Sequence, residues 1–108
     1  MKQIILVSTT LENKADAEHI AALLLTRKLI ACAQISGPIT SIYRWRDVIT
    51  NATEFALSLK TTPECTETVK TLLVEEHPYD IPEIMVQEID NSSSEYAQWV
   101  YGEVRQCQ

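Results

Sequence analysis

Residues 40–50, TSIYRWRDVIT, predict the tip of a long β-hairpin, and this hairpin decides the fold. β-Branched and aromatic residues flank Arg46 and Asp47, and aspartate is among the residues that tolerate the left-handed conformation of a two-residue hairpin turn. The pattern extends outward to one hairpin over residues 30–61. A bulge or bend is expected at Gly37-Pro38, because this pair cannot continue a regular strand ladder.

A strand and a helix precede the hairpin. Residues 2–9 predict a strand that is apolar on both faces, as expected of a strand buried on both sides. Asn13 is expected to cap a helix that ends near Lys28, with Asp16 completing an imperfect capping box.

A helix, a strand and another helix follow the hairpin. Thr62 is expected to cap the second helix, which Pro78 ends. Residues 83–89 predict a further strand, and Ser92 with Glu95 forms a capping box for a terminal helix.

This order of elements predicts an α+β fold: a ferredoxin-like split βαβ with a long central hairpin and an extra C-terminal helix, forming one domain over residues 1–108. Right-handed crossovers place both main helices on one face of the sheet. Because the first strand is apolar on both faces, something must cover the second face. The terminal helix and other subunits are the two alternatives.

The hairpin is too long for its own domain. A helix of ~15 residues is ~22 Å long, whereas a hairpin arm of ~14 residues reaches ~46 Å, so about half of the hairpin extends beyond the helices. An isolated two-stranded extension is not stable in water. It carries Tyr43 and Trp45 on one face and Ile42, Arg44 and Arg46 on the other, a composition typical of interface cores, which predicts an oligomer.

Composition and charge exclude several classes of partner. A net charge of −6 and scattered basic residues disfavour nucleic acid. The apolar run over residues 4–7 is too short for a membrane span or a signal peptide, which predicts no membrane association and a cytoplasmic location. In a reducing compartment, Cys32 and Cys65 are expected to be small buried hydrophobes. With Cys107 the chain has three cysteines, which cannot all be paired within one molecule.

Four segments carry a resemblance to a known family. They are residues 29–35 (LIACAQI), 40–45 (TSIYRW), 57–61 (LSLKT) and 77–83 (HPYDIPE). In this order they resemble the CutA family, the proteins named for divalent-cation tolerance. The resemblance implies a homotrimer built from intersubunit sheet contacts, with lateral clefts similar to those of the trimeric PII signalling proteins. By position, the residues expected to bind a ligand there are Tyr43, Trp45, Lys60, Tyr79, Glu83 and Trp99, with His77 beside them.

The resemblance also implies a metal ligand set that this chain only partly keeps. Bacterial relatives are described as binding copper through a cysteine at the end of the first strand and a histidine pair before Pro-Tyr. Here those positions hold Ser8 and Glu76-His77, and loss of the thiolate removes most selectivity for Cu(I). We therefore expect copper or another divalent cation to bind weakly, at His77, and not to be required for folding. The helix C-terminus and the adjacent Glu75 and Glu76 are expected to favour protonated His77.

The two prolines of residues 77–83 predict a rigid connector. Pro78 and Pro82 are expected to hold Tyr79 against the hairpin of a neighbouring subunit near Trp45, so that Tyr79→Ala costs more stability than His77→Ala.

Three classes of function remain at this point. The first is a non-enzymatic, metal-responsive or ligand-binding CutA-like trimer, and the second is a PII-like ligand sensor, disfavoured by the absence of a long effector loop. The third is an enzyme, for which only an acid–base site of Tyr79, His77 and Glu83 is conceivable, because no catalytic triad, phosphate loop or HExxH motif occurs. We predict no enzymatic activity.

Overall fold

A computed structural model describes residues 2–107. The elements are β1 (Ile4–Leu11), α1 (Lys14–Thr26), β2 (Cys32–Trp45), β3 (Val48–Thr61), a 3₁₀ turn (Pro63–Cys65), α2 (Thr66–Glu76), β4 (Ile84–Ile89) and α3 (Ser94–Glu103).

The strands form one antiparallel sheet in the order β2-β3-β1-β4. β1 lies between β3 and β4, as expected when two βαβ crossovers place their helices on the same face. The predicted α+β ferredoxin-like fold with an additional C-terminal helix is therefore confirmed.

The predicted hairpin is present and extends beyond the rest of the sheet. β1 pairs with β3 only from Ile5↔Thr61 to Leu11↔Phe55, so residues 48–54 pair with β2 alone. The tip lies at Arg46 and Asp47, whose φ angles of 48° and 66° give the left-handed turn that the right-handed strand twist favours.

The predicted irregularity at Gly37 is confirmed and has a steric cause. The β2–β3 register shifts between Ser36 and Ile39. Gly37 has φ +143°, and a Cβ there would lie 2.8 Å from the Phe55 ring and 3.0 Å from the carbonyl oxygen of Glu54. Only glycine allows β2 to approach β3 this closely.

The helix caps differ from the sequence prediction. The Asn13 side chain does not cap α1; its Nδ2 donates to Asp16 Oδ2 at 3.5 Å. The cap of α3 is Ser93, one residue after the predicted Ser92, and its Oγ accepts from the Tyr96 N–H at 3.3 Å. Thr62 precedes the 3₁₀ turn without a side-chain cap.

The main core lies between the sheet and the layer of α1 and α2. Alternate residues of β1 and β3, among them Val7 and Leu57, are fully buried there together with Leu73 of α2. On the opposite face α3 packs against β3, and Val100 is fully buried.

The terminal helix covers only part of this second face. Ile4, at the start of β1, is 4% exposed, whereas Met85 of β4 remains 56% exposed. The terminal helix α3 therefore covers one end of this face and leaves the other end open. Cover of the open end by another subunit stays a prediction.

Cys65 is fully buried, as predicted, but it is not a free cysteine, and Cys32, which was also predicted to be buried, is only partly buried. The sulfur of Cys65 forms a disulfide with Cys107, across a sequence separation of 42 residues, and Cys32 is the free cysteine. Spacing did not reveal this pair, because α3 brings the C-terminal residues back to the start of α2. Within residues 2–107 no helix is long and apolar enough to cross a bilayer.

Candidate functional site

His77 ends α2 and turns its ring inward. Its backbone N–H donates to Leu73 O at 2.9 Å, and its ψ of 133° ends the helix, as expected of a residue before proline. The ring is only 7% exposed. Nε2 lies 2.9 Å from the Thr10 carbonyl oxygen and 3.0 Å from Thr9 Oγ1.

These contacts assign the protonation state of His77. A carbonyl oxygen only accepts, so Nε2 carries a proton and donates to Thr10. Nδ1 accepts from the Tyr79 backbone N–H at 3.2 Å, so Nδ1 carries no proton. The ring is neutral, and both nitrogens are engaged.

Burial explains why the expected protonation of His77 is wrong. Desolvation lowers its pKa below the ordinary 6.5, although the Thr10 carbonyl and the Glu54 carboxylate act in the opposite direction. A metal ion could bind His77 only after the Tyr79 amide leaves Nδ1 or Nε2 loses its contact with Thr10. The metal role of His77 stays a prediction.

Tyr79 joins the connector to the overhanging hairpin. Its hydroxyl donates to Glu54 Oε2 at 2.8 Å, and its ring centroid lies 4.7 Å from that of His77. Tyr79 therefore links β3 to the connector within its own chain. Its expected contact with the hairpin of a neighbouring subunit near Trp45 stays a prediction.

Glu54 is a buried carboxylate, 8% exposed. It is the first residue of β3 beyond the segment that pairs with β1. Burial alone raises its pKa, but hydrogen bonding by Ser41 and Tyr79 outweighs burial and holds the pKa below the ordinary 4.5. In turn, burial and the Glu54 hydrogen bond raise the pKa of the Tyr79 phenol. Glu54 therefore stays ionised and Tyr79 stays a donor at neutral pH.

A groove of about 1020 Å³ opens beside this pair, between the hairpin, the end of β1 and the connector. Its wall combines aromatic rings with carboxylates, and no lysine or arginine of residues 2–107 lines it. The lining of the groove is thus partly apolar and partly negatively charged. Its lining residues are Thr10, Glu12, Asn13, Ser41, Ile42, Tyr43, Trp45, Ala52, Thr53, Glu54, Tyr79, Asp80, Ile81 and Glu83.

The residues predicted to bind a ligand fall into two groups. Tyr43, Trp45, Tyr79 and Glu83 line the groove. Lys60 and Trp99 do not; they belong to a separate cluster at the other end of β3. There Lys60 Nζ donates to Gln34 Oε1 at 2.9 Å and lies 5.8 Å from the Tyr96 ring, which is 5.6 Å from Trp99.

Sequence reasoning missed the central role of Glu54. A carboxylate between Thr53 and Phe55, with small Ala56 and Ser58 next on the same strand face, was interpretable only as a surface charge or a cleft wall. The burial of Glu54 depends on Tyr79, 25 residues away in sequence. No local pattern indicates such a contact.

Within the described part of the chain, no three His, Cys, Asp or Glu side chains lie close enough together to hold a metal ion. Glu12, Asp16 and His19, spaced at i, i+4 and i+7, do not form such a group. His19 instead lies 3.5 Å from Glu76 of α2, and its side chain is 70% exposed. This pair is an exposed contact between the two main helices.

The antiparallel sheet, the helices on one face and the overhanging hairpin define a ferredoxin-like α+β protein. Comparison with known proteins then identifies its family. The model of the family described as CutA1 divalent ion tolerance protein matches residues 5–103. A probable divalent-cation tolerance protein CutA homologue of Encephalitozoon cuniculi is 37% identical over 100 residues, 93% of this chain and 87% of that protein.

Solved structures agree with this match. The crystal structure of CutA1 from Ehrlichia chaffeensis is 42% identical, with a TM-score of 0.91 over 95% of this chain and 96% of that chain. A CutA from Archaeoglobus fulgidus, described as periplasmic, is 33% identical, with a TM-score of 0.90 over 94% and 99%. This chain belongs to the CutA1 family of divalent ion tolerance proteins. Its predicted cytoplasmic location stays a prediction.

The buried histidine predicts a loss of stability in mild acid. The folded-state pKa of His77 lies below the ordinary 6.5, so the unfolded chain takes up a proton first as the pH falls. The stability that neutral His77 provides above pH 6.5 should be lost as the pH falls through its folded-state pKa. Urea denaturation at fixed protein concentration, at a series of pH values below neutral, measures this.

The control for this prediction is His77→Gln, which keeps a donor and an acceptor but does not titrate. Its stability should change less than that of the wild type across the same interval. A second loss is expected in both proteins below pH 4.5, where the depressed pKa of Glu54 acts with the same sign. If the two proteins lose stability equally between neutral pH and pH 4.5, the assignment to His77 is wrong.

Proposed function

We propose that this protein acts in divalent-cation tolerance as a non-enzymatic homotrimer, whose groove beside the hairpin becomes a cleft between subunits that takes a divalent cation or a small ligand. Two observations together support this proposal: the chain belongs to the CutA1 family, and carboxylates line the groove. These carboxylates are Glu12, Glu54, Asp80 and Glu83, and within residues 2–107 no lysine or arginine lines the groove with them.

Exposed apolar residues support assembly through the hairpin. The exposed fractions are 69% for Ile42, 61% for Val48 and 71% for Ile49. All three lie on the part of the hairpin that, within the described residues, pairs with no strand outside the hairpin. Val48 lies on one face of the hairpin and Ile42 and Ile49 on the other, and exposed apolar residues on a two-stranded extension are typical of an interface. A trimer that buries it is expected to bury well above ~2,000 Å² in total.

The chemistry of the groove favours a hard or borderline cation held weakly. Carboxylate oxygens suit Mg²⁺, Mn²⁺, Ca²⁺ and, in part, Zn²⁺ better than Cu(I). Glu54 already accepts from Tyr79, so the exposed Glu12 and Glu83 at the groove are the better candidates to contact an ion. Since one described chain does not bring three such ligands together, we propose that a neighbouring subunit completes the site.

The test compares two variants in titration calorimetry with Zn²⁺ and Cu²⁺. We expect micromolar or weaker affinity in the wild type, a loss of roughly tenfold or more in Glu83→Gln, within the range for removal of a group that supports a metal site, and little change in His77→Gln. The reverse order would locate the metal at His77. Nanomolar affinity unaffected by either substitution would contradict the proposed groove site.

A further inference from the structure

The C-terminal segment, residues 104–107, has no regular secondary structure after α3, yet it is held in place. The Arg105 N–H donates to Lys28 O, at the end of α1, at 2.8 Å. The disulfide from Cys107 to Cys65 joins the same segment to the beginning of α2. The segment thus connects α3 to both helices of the main layer.

The two sulfurs of this disulfide lie in unequal surroundings. Cys65 is fully buried, whereas Cys107 is only half-buried. An attacking thiolate from solution therefore reaches Cys107 more easily, and the sulfur of Cys65 is the leaving group.

The structure already contains a partner for the reduced form of Cys65. The carbonyl oxygen of Arg105 lies 3.2 Å from Cys65 Sγ. A disulfide sulfur has no proton to donate, but a Cys65 thiol at the same place could donate to this oxygen. This acceptor is present only while the segment stays docked; once the segment is released, the Cys65 thiol is a small buried hydrophobic group, and the core around it need not unfold.

We propose that Cys65 and Cys107 form a redox switch that fixes or releases the C-terminal segment, and that the switch reacts with dithiols. One thiolate of the dithiol attacks Cys107 Sγ, the Cys65–Cys107 bond breaks, and Cys65 leaves as a thiolate that takes up a proton. The second thiol of the dithiol then attacks the sulfur of the mixed disulfide that came from the dithiol and releases Cys107 as a thiol. The dithiol loses two electrons to become a cyclic disulfide, and the protein gains them.

Opening the switch removes a covalent loop that spans α2, β4 and α3, across a sequence separation of 42 residues. The main core contains no other disulfide within the described residues and stays packed by its apolar side chains. We therefore expect reduction to lower the melting temperature by roughly 10 °C and to free the C-terminal segment without global unfolding.

The experiment begins with thiol counting on protein purified in air without reductant. Titration with a thiol reagent in denaturant should find one thiol, Cys32, and three after treatment with dithiothreitol. Native protein is then examined by hydrogen exchange before and after dithiothreitol. Exchange at the Arg105 amide should rise about tenfold or more on reduction and return on reoxidation, as for a local opening.

Two variants make the result specific. Cys107→Ser should show the fast exchange without reductant and no further change with it, whereas Cys32→Ser should respond as the wild type does. Three thiols in the protein purified in air would overturn the proposal. So would a disulfide that survives excess dithiothreitol in the native protein, or exchange at Arg105 that is equal in the oxidised and reduced forms.

Discussion

Replacing Ile49 with lysine is expected to convert the proposed trimer into monomers at micromolar concentration. Ile49 is 71% exposed on the overhanging hairpin, directly opposite Arg44 on the neighbouring strand. In the proposed interface a lysine there would be desolvated next to a like charge, and an unpaired buried ion costs several kcal/mol in each subunit. Sedimentation velocity measures the change directly.

Val74→Lys is the matched control. Val74 is also a β-branched residue and is 59% exposed, but it lies on α2, in the helical layer, and not on the hairpin. It should leave the sedimentation coefficient unchanged. If Val74→Lys dissociates the assembly and Ile49→Lys does not, the interface lies on the helices and the hairpin account is wrong.

Replacing Tyr79 with alanine is expected to cost about 3 kcal/mol of unfolding free energy per chain, from lost ring packing and from the loss of one of the donors to the buried Glu54 carboxylate. The ring contacts His77, and its hydroxyl bonds Glu54 at 2.8 Å. Chemical denaturation at fixed protein concentration provides the value, because the apparent stability of an oligomer depends on concentration.

Tyr79→Phe separates the two contributions. It keeps the ring and removes only the hydroxyl, so it should cost about 1–2 kcal/mol for the lost hydrogen bond to a buried carboxylate, which keeps Ser41 as a donor. The double variant Tyr79→Phe with Glu54→Gln should cost less than the sum of the two single changes, because the carboxylate that requires the donor is gone. Additive costs would show that the two side chains are not coupled.

The structure also revises the expected cost of His77→Ala. From the sequence, His77 is a helix-end residue whose loss should matter little. In the fold its ring is buried and bonded to Thr10 and to the Tyr79 amide, so alanine leaves both groups unpaired. We now expect its cost to approach that of Tyr79→Ala.

The fold could be predicted because its signals are local. The turn at Arg46 and Asp47, the break at Gly37 and the run of apolar residues at the start of β1 each depend on neighbouring residues. The same patterns gave the length of the hairpin, and hence its overhang. The helix caps and the bounds of the first strand were misplaced: β1 is Ile4–Leu11 instead of residues 2–9, and Ser92 and Ser93 are equally suitable caps in sequence.

The site was harder to predict because it depends on contacts between distant segments. The state of His77 is set by burial beneath β1, at a sequence separation of 67 residues from its partner Thr10, and this burial outweighs the nearby charges that favour protonation. Glu54 and the Cys65–Cys107 pair are likewise defined by partners far along the chain. Lys60 and Trp99 were grouped with the groove by resemblance, although within one chain they lie elsewhere.

Native mass spectrometry of freshly purified protein tests the central claim, a homotrimer with an intersubunit cleft, most directly. It reports the number of subunits and any retained ligand in one measurement. We expect a single species at three times the chain mass of 12.2 kDa, which loses weakly bound divalent metal on gentle activation before it dissociates. A 12.2 kDa monomer as the dominant species at micromolar concentration would contradict the account.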